Sequence, residues 1–140
     1  MIENYTFSMP LILRWSDIDE LRHVNNAKYL TFFEEVRIQY NNRVGNWNWK
    51  TEGFLLAAAN ISFRKPLFLR DEPTIFARIS KIGTKSFDME YAIFNKKGEL
   101  CASGTTVQVA IEMTNFTPIA VPENIKKLVL AYEKENTVQI

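Results

Sequence analysis

Residues 14–37 read RWSDIDELRHVNNAKYLTFFEEVR. Two spacings meet in this stretch. Leading into it, Phe7, Met9, Leu11, Leu13 and Trp15 alternate with Ser8, Pro10, Ile12 and Arg14, the period of a strand with one buried face. Pro10 suits an edge position or a bulge, because it has no N–H to give to a ladder. From Asn26 the period changes. Tyr29, Phe33, Val36 and Tyr40 recur three and four residues apart, widened by Leu30 and Phe32. This predicts a helix from about Asn26 to about Tyr40, with an apolar face broad enough to be buried on more than one side. Asn25 or Asn26 is a natural N-cap, and Asn41, Asn42 and Gly45 end the helix.

Downstream the chain is nearly all strand. Phe54 to Leu69 is a long apolar run broken by Pro66, and Thr74 to Ile82 follows. After a turn at Gly83-Thr84, Phe87, Met89, Tyr91 and Ile93 alternate with Ser86, Asp88, Glu90 and Ala92. Asn95-Lys96-Lys97-Gly98 reads as a hairpin loop. Cys101, Ser103, Thr105, Val107, Val109, Ile111 and Met113 again show period 2. Pro122 fits the first position of a final helix, with Ile125, Leu128, Val129 and Tyr132 on one face. Strand, long helix, four strands and a short helix imply an α+β fold. Its mainly antiparallel sheet must wrap the long helix.

The 140 residues, 46% of them hydrophobic, suit one domain with a filled core. Seventeen basic and sixteen acidic side chains nearly cancel, which argues against nucleic acid or an anionic membrane as partner. The apolar run Phe54 to Ala59 is far too short to span a bilayer. One cysteine, Cys101, and one histidine, His23, exclude an internal disulfide and a Cys-rich or His-rich metal site. The N-terminus shows no basic-then-apolar leader. A soluble cytoplasmic domain without cofactor or metal is the expectation.

The chemistry-bearing residues crowd into the few positions before the long helix: Asp17, Asp19, His23, Asn25 and Asn26. Backbone N–H groups lack partners at a helix start, and negative charge is favoured there. A carboxylate base beside free donors can serve acyl transfer. Each residue also has a plain structural role. Asp17 is expected as a loop acceptor. His23 is read either as a packing residue or as a site group. Asn25 and Asn26 serve as caps, while their N–H groups and that of Ala27 are candidate oxyanion donors. Glu34 and Arg37 are spaced for a surface or interface ion pair. Cys101 is expected as an inert buried thiol, and Ser103 and Thr105 as ladder residues. Trp47 and Trp49 either shape a substrate tunnel or close the far end of the helix.

Asp17-Ile18-Asp19, His23-Val24-Asn25-Asn26, Tyr29, Glu34-Glu35 and Arg37, with Phe63-Arg64-Lys65-Pro66-Leu67 and Asp71 further on, resemble the acyl-CoA thioesterases of the 4-hydroxybenzoyl-CoA thioesterase-like family. The resemblance covers almost the whole chain. It implies a hotdog fold, in which about five antiparallel strands wrap one central helix, with a short C-terminal helix. It implies homodimers, often further assembled into tetramers, and hydrolysis of an acyl-CoA or acyl-carrier-protein thioester at the subunit interface. The catalytic residues it implies are Asp19, the second acid of the Asp-x-Asp pair, and His23. Asn25, Asn26, Ala27 and Tyr29 would contact substrate. Arg22 and Arg70 stand where the family commonly has Gly, and Leu21 stands where the plant acyl-carrier-protein thioesterases have Asn. A hotdog hydratase would carry an Asn-Pro in a Gly-Asp-x-Asn-Pro-x-His-type motif, which is absent here. A binding module that has lost the reaction is the non-catalytic alternative.

Overall fold

The computed structural model describes residues 2–134 and 137–140. Five antiparallel strands form one sheet: β1 (Phe7–Pro10), β2 (Glu52–Phe63), β3 (Thr74–Ile82), β4 (Ser86–Phe94) and β5 (Leu100–Glu112), in the order β1-β3-β4-β5-β2. Helix α1 (Tyr29–Tyr40) lies on one face and buries Tyr29, Phe32, Phe33, Val36, Arg37 and Tyr40. Helix α2 (Glu123–Glu133) closes the chain. This is the hotdog fold.

Several local expectations change. β1 ends at Pro10, not Trp15, because its partner β3 begins at Thr74, opposite Pro10. One further bond, from the Leu11 N–H to the Pro73 carbonyl (2.9 Å), is all that continues the ladder. Pro10 does lie on an edge strand. The long helix opens with a 3-10 turn at Asn26–Lys28 and closes through a π turn at Asn41–Gly45, with Asn46 left-handed (φ 54°). The buried Asn41 fixes that end. Its Nδ2 donates to the Arg37 carbonyl (2.8 Å), and its Oδ1 accepts from Trp47 Nε1 (2.9 Å). Trp47 and Trp49 stack with centroids 5.8 Å apart and both meet Phe54, so they close the far end of the helix. Pro122 is the N-cap of α2, one residue outside the helix.

In β5 the apolar alternation marks the outer face from Thr105 to Val109. Register against β4 sets Phe87 opposite Gln108, Met89 opposite Thr106 and Tyr91 opposite Gly104. The even residues therefore share the helix-facing side with the buried residues of β4, and Thr106 and Gln108 are buried although polar. Thr106 Oγ1 lies 2.6 Å from the Tyr91 hydroxyl, which in turn accepts from Arg37 Nη1 at 3.2 Å. Arg37 is thus turned into the core, and no ion pair with Glu34 forms, because the exposed face of α1 keeps Glu34 in water.

Gly104 leaves no room for a side chain between sheet and helix. A Cβ there would stand 2.5 Å from the Asn60 carbonyl oxygen and 2.5 Å from Phe33 Cε2. The missing side chain lets Phe33 stack on Tyr91 at 4.4 Å and 8°. Gly104→Ala is expected to cost about 2–3 kcal/mol, because backbone blocks relaxation on one side. An unchanged denaturation midpoint for that variant would contradict this packing account.

Candidate active site

The site is built on a tight hairpin between β1 and α1. Ile18 and Val24 form an antiparallel bridge. Inside it the Asp19 N–H donates to the His23 carbonyl (3.1 Å) and the Arg22 N–H to the Asp19 carbonyl (3.0 Å). The Val24 N–H donates to the Leu67 carbonyl (2.8 Å), which ties the hairpin to the segment after β2. Arg22 is left-handed, with φ 68°. That conformation is natural for glycine and strained for a side chain. We expect Arg22→Gly to hold or raise the melting temperature and Arg22→Val to cost about 1–2 kcal/mol. Equal thermal stability of the two variants would remove the strain argument.

The two aspartates of the motif differ sharply in setting. Asp17 is buried; its Oδ2 accepts from the Arg14 N–H (2.8 Å) and its Oδ1 lies 3.9 Å from Lys28 Nζ. It is a loop acceptor that shapes the turn at Trp15–Asp17. Asp19 is half-exposed. Its Oδ1 accepts from the Leu21 N–H (2.9 Å), while Oδ2 makes no hydrogen bond to the described residues. Asp19 borders a cleft of about 540 Å³ lined by Trp15, Ile18, Arg22, Phe68, Leu69 and Arg70.

His23 opens onto a different cleft, of about 210 Å³, with Asn26, Tyr29, Phe63, Arg64, Lys65 and Pro66. Its Nδ1 is 3.2 Å from the Val24 carbonyl oxygen. The tautomer protonated at Nδ1 satisfies that contact and leaves Nε2 as an acceptor. Within one chain, then, the Asp19 and His23 side chains are joined only through backbone and do not share a cleft. The ring of Tyr29 is buried against Phe32 and Phe63. Burial pushes its hydroxyl up to about 12, so it stays a neutral phenol near pH 7. Burial likewise raises the Cys101 thiol and keeps it unreactive.

The helix start offers fewer donors than its sequence implies. The Asn25 N–H donates to the Asp17 carbonyl (2.8 Å) and the Ala27 N–H to Asn25 Oδ1 (3.0 Å). Lys28 N–H is spent on the Asn25 carbonyl (2.9 Å). Among the described residues, only the Asn26 N–H of this set is left without an acceptor. Sequence reasoning gave Trp15, Phe68 and Leu69 no site role and named Arg70 only as a departure from the family's Gly. The motif around Phe63–Leu67 pointed to their neighbourhood but gave no roles. Among the described residues no three His, Cys, Asp or Glu side chains converge as a metal site.

The family model of the thioesterase-like superfamily matches residues 13–129. The chain belongs to that superfamily. Its Asp-x-Asp hairpin, its long helix and strands β2 to β5 fall inside the match, and thioester hydrolysis is the activity of the family. The chain is similar to the long-chain acyl-CoA thioesterase FadM of Escherichia coli, 27% identical over 119 residues that cover 82% of this chain and 90% of FadM. It is also similar to a Thermus thermophilus thioesterase whose crystal structure is complexed with coenzyme A and Zn. That likeness has TM-score 0.82 and 30% identity, covering 94% of this chain and 96% of that one. The PA5185 protein of Pseudomonas aeruginosa superposes with TM-score 0.84 and 26% identity, covering 93% of each chain.

Proposed function

We propose that this thioesterase hydrolyses acyl-CoA, with Asp19 as the reacting carboxylate. The observation that carries the proposal is the position of Asp19. One of its oxygens holds the turn, and the other is unbonded beside a largely apolar cleft a few residues from a helix start. The free oxygen can take a proton from water or attack the thioester carbon. The Asn26 N–H is the donor best placed by its freedom to hold the oxyanion, and the Ala27 N–H could join only by releasing Asn25 Oδ1. Thiolate leaves easily, so no strong general acid is required. His23, with Nε2 as acceptor, serves as a proton relay or a polar wall. Trp15, Ile18, Phe68 and Leu69 suit an apolar acyl group, and the similarity to FadM and to a CoA-bound thioesterase favours CoA as the carrier.

The same reading makes the working unit a homodimer. β2 is twelve residues long and, among the described residues, pairs only on its β5 side. Leu55, Leu56 and Phe63 along it are 45–50% exposed. An open edge of this length invites a second copy. Incubation with acyl-CoAs of graded chain length, in the presence of a thiol reagent, tests the proposal. Thiol release with at least one acyl group is expected. Tight binding with no release across the series would instead identify a binding module.

A further inference from the structure

We infer that the acyl site continues past Leu69 into a second apolar groove, which takes the far end of a long unbranched acyl chain; this rests on the reading of the protein as an acyl thioesterase with Asp19 at its reacting centre. The groove lies where β1 ends and β3 begins. It has a volume of about 270 Å³ and is lined chiefly by Pro10, Leu11, Ile12, Leu13, Leu69 and Pro73. Leu69 also lines the Asp19 cleft, so the two spaces meet at one side chain. The Asp19 cleft by itself suits a short acyl group, and a longer one has this groove to run into.

The backbone sets the walls. Pro10 pairs with Thr74 at the end of the β1–β3 ladder, and the Leu11 N–H donates to the Pro73 carbonyl (2.9 Å). Pro10 and Pro73 have no N–H, and Leu11 has spent its own, so this stretch of wall has no donor to satisfy with water. Leu69 opens the 3-10 turn Leu69–Asp71. That turn is held by the Phe68 N–H on Asp71 Oδ2 (2.8 Å) and the Asp71 N–H on the Phe68 carbonyl (3.0 Å), which fixes the junction between the two spaces. Ile12 is 75% exposed and Leu69 40%, apolar surface that a hydrocarbon tail would take out of water. Among the described residues Glu72 is the one charged side chain in the lining, so the groove has no cation to attract a phosphate or an acidic partner. The β2 edge proposed for a second copy is the opposite margin of the sheet from β1, so that pairing joins the sheet away from this groove. A concave apolar space that opens from the cleft of the reacting carboxylate fits a flexible hydrocarbon chain.

Ile12 lines this groove and not the Asp19 cleft, and its exposure lets Ile12→Asp spare the fold. The test compares the wild type with Ile12→Asp on hexanoyl-CoA and palmitoyl-CoA, with thermal unfolding as the control. Each buried methylene is worth about fourfold in binding, so losing a groove that holds several should raise KM for palmitoyl-CoA about tenfold or more. The change for hexanoyl-CoA should be far smaller. Leu69→Trp, which narrows the junction, should shift the preference towards short chains in the same way. Calorimetry with S-hexyl-CoA and S-hexadecyl-CoA, thioethers that lack the carbonyl, reads the groove without turnover. Tighter binding of the longer thioether by the wild type, lost in Ile12→Asp, supports the groove even if no thioester is cleaved. Equal affinity of the wild type for the two thioethers, or an equal loss on both in Ile12→Asp, overturns it. An unchanged chain-length profile in Ile12→Asp together with lost adsorption to neutral phosphatidylcholine vesicles also overturns it, and makes the patch a lipid-facing surface instead.

Discussion

Replacing Asp19 by Asn is expected to give a folded protein that still binds acyl-CoA but turns it over about 10²-fold or more slowly, the range for a positioned general base. The fold should survive because, among the described residues, the only side-chain bond of Asp19 is accepted from the Leu21 N–H, and an amide oxygen can accept it as well. What disappears is the basic carboxylate bordering the cleft. Asp17→Asn makes the contrast. Its carboxylate is buried and engaged with the Arg14 N–H and near Lys28, so that change should cost stability and leave turnover within severalfold. Steady-state kinetics on both variants, each checked by thermal unfolding, decides the matter. Wild-type rates in Asp19→Asn, or a dead Asp17→Asn that remains folded, would reverse the assignment. Attack by Asp19 itself would leave a trappable mixed anhydride, whereas attack by activated water would not.

The largest expected loss of stability belongs to a residue remote from that chemistry. Glu133, at the end of α2, is buried and collects three donors. Tyr40 Oη donates to Oε2 at 2.6 Å, Thr6 Oγ1 to Oε1 at 2.7 Å, and the Ile79 N–H to Oε2 at 3.2 Å. Burial and this carboxylate together push the Tyr40 hydroxyl far above the ordinary phenol range, so Tyr40 is a donor at every working pH. Glu133→Ala leaves the fully buried Tyr40 hydroxyl and a strand N–H without an acceptor. We expect a loss of about 3–5 kcal/mol, the cost of breaking a buried charged network from one side. Glu133→Gln keeps one acceptor oxygen and should lose less. Urea unfolding measures both, and a Glu133→Ala midpoint equal to that of the wild type would show that the network contributes nothing.

Local pattern made much of this protein legible. The change of period at Asn26 located α1, the Asn95–Gly98 loop located the β4–β5 hairpin, and the Asp-x-Asp segment pointed to the hairpin that carries the proposed site. The misreadings share one cause, which is that contacts between distant segments outrank local periodicity. β1 stops where β3 starts, and β5 buries Thr106 and Gln108 because Met89 and Phe87 stand opposite them. Arg37 has the spacing of a surface ion pair and is instead drawn inward by Tyr91, 54 residues away. The bonds of Glu133 to Thr6, Tyr40 and Ile79 span 127, 93 and 54 residues, and no local window contains them. At the site, the residue types at the helix start were readable from sequence. Which N–H groups were already spent depended on the fold of the 18–24 hairpin.

The two borders of the sheet are not alike. On the β1 side, four residues ending in Pro10 form the margin, and where β1 runs out the C-terminal Gln139 bridges to Lys81, with the Ile82 N–H bonded to its carbonyl at 2.8 Å. The opposite margin, β2, runs for twelve residues with one side open. A sheet so finished has one margin long enough to join a like one, whereas four residues ending in proline are a poor template for a third chain. In the proposed homodimer this asymmetry favours a discrete pair over the open-ended stacking that two long free margins would permit.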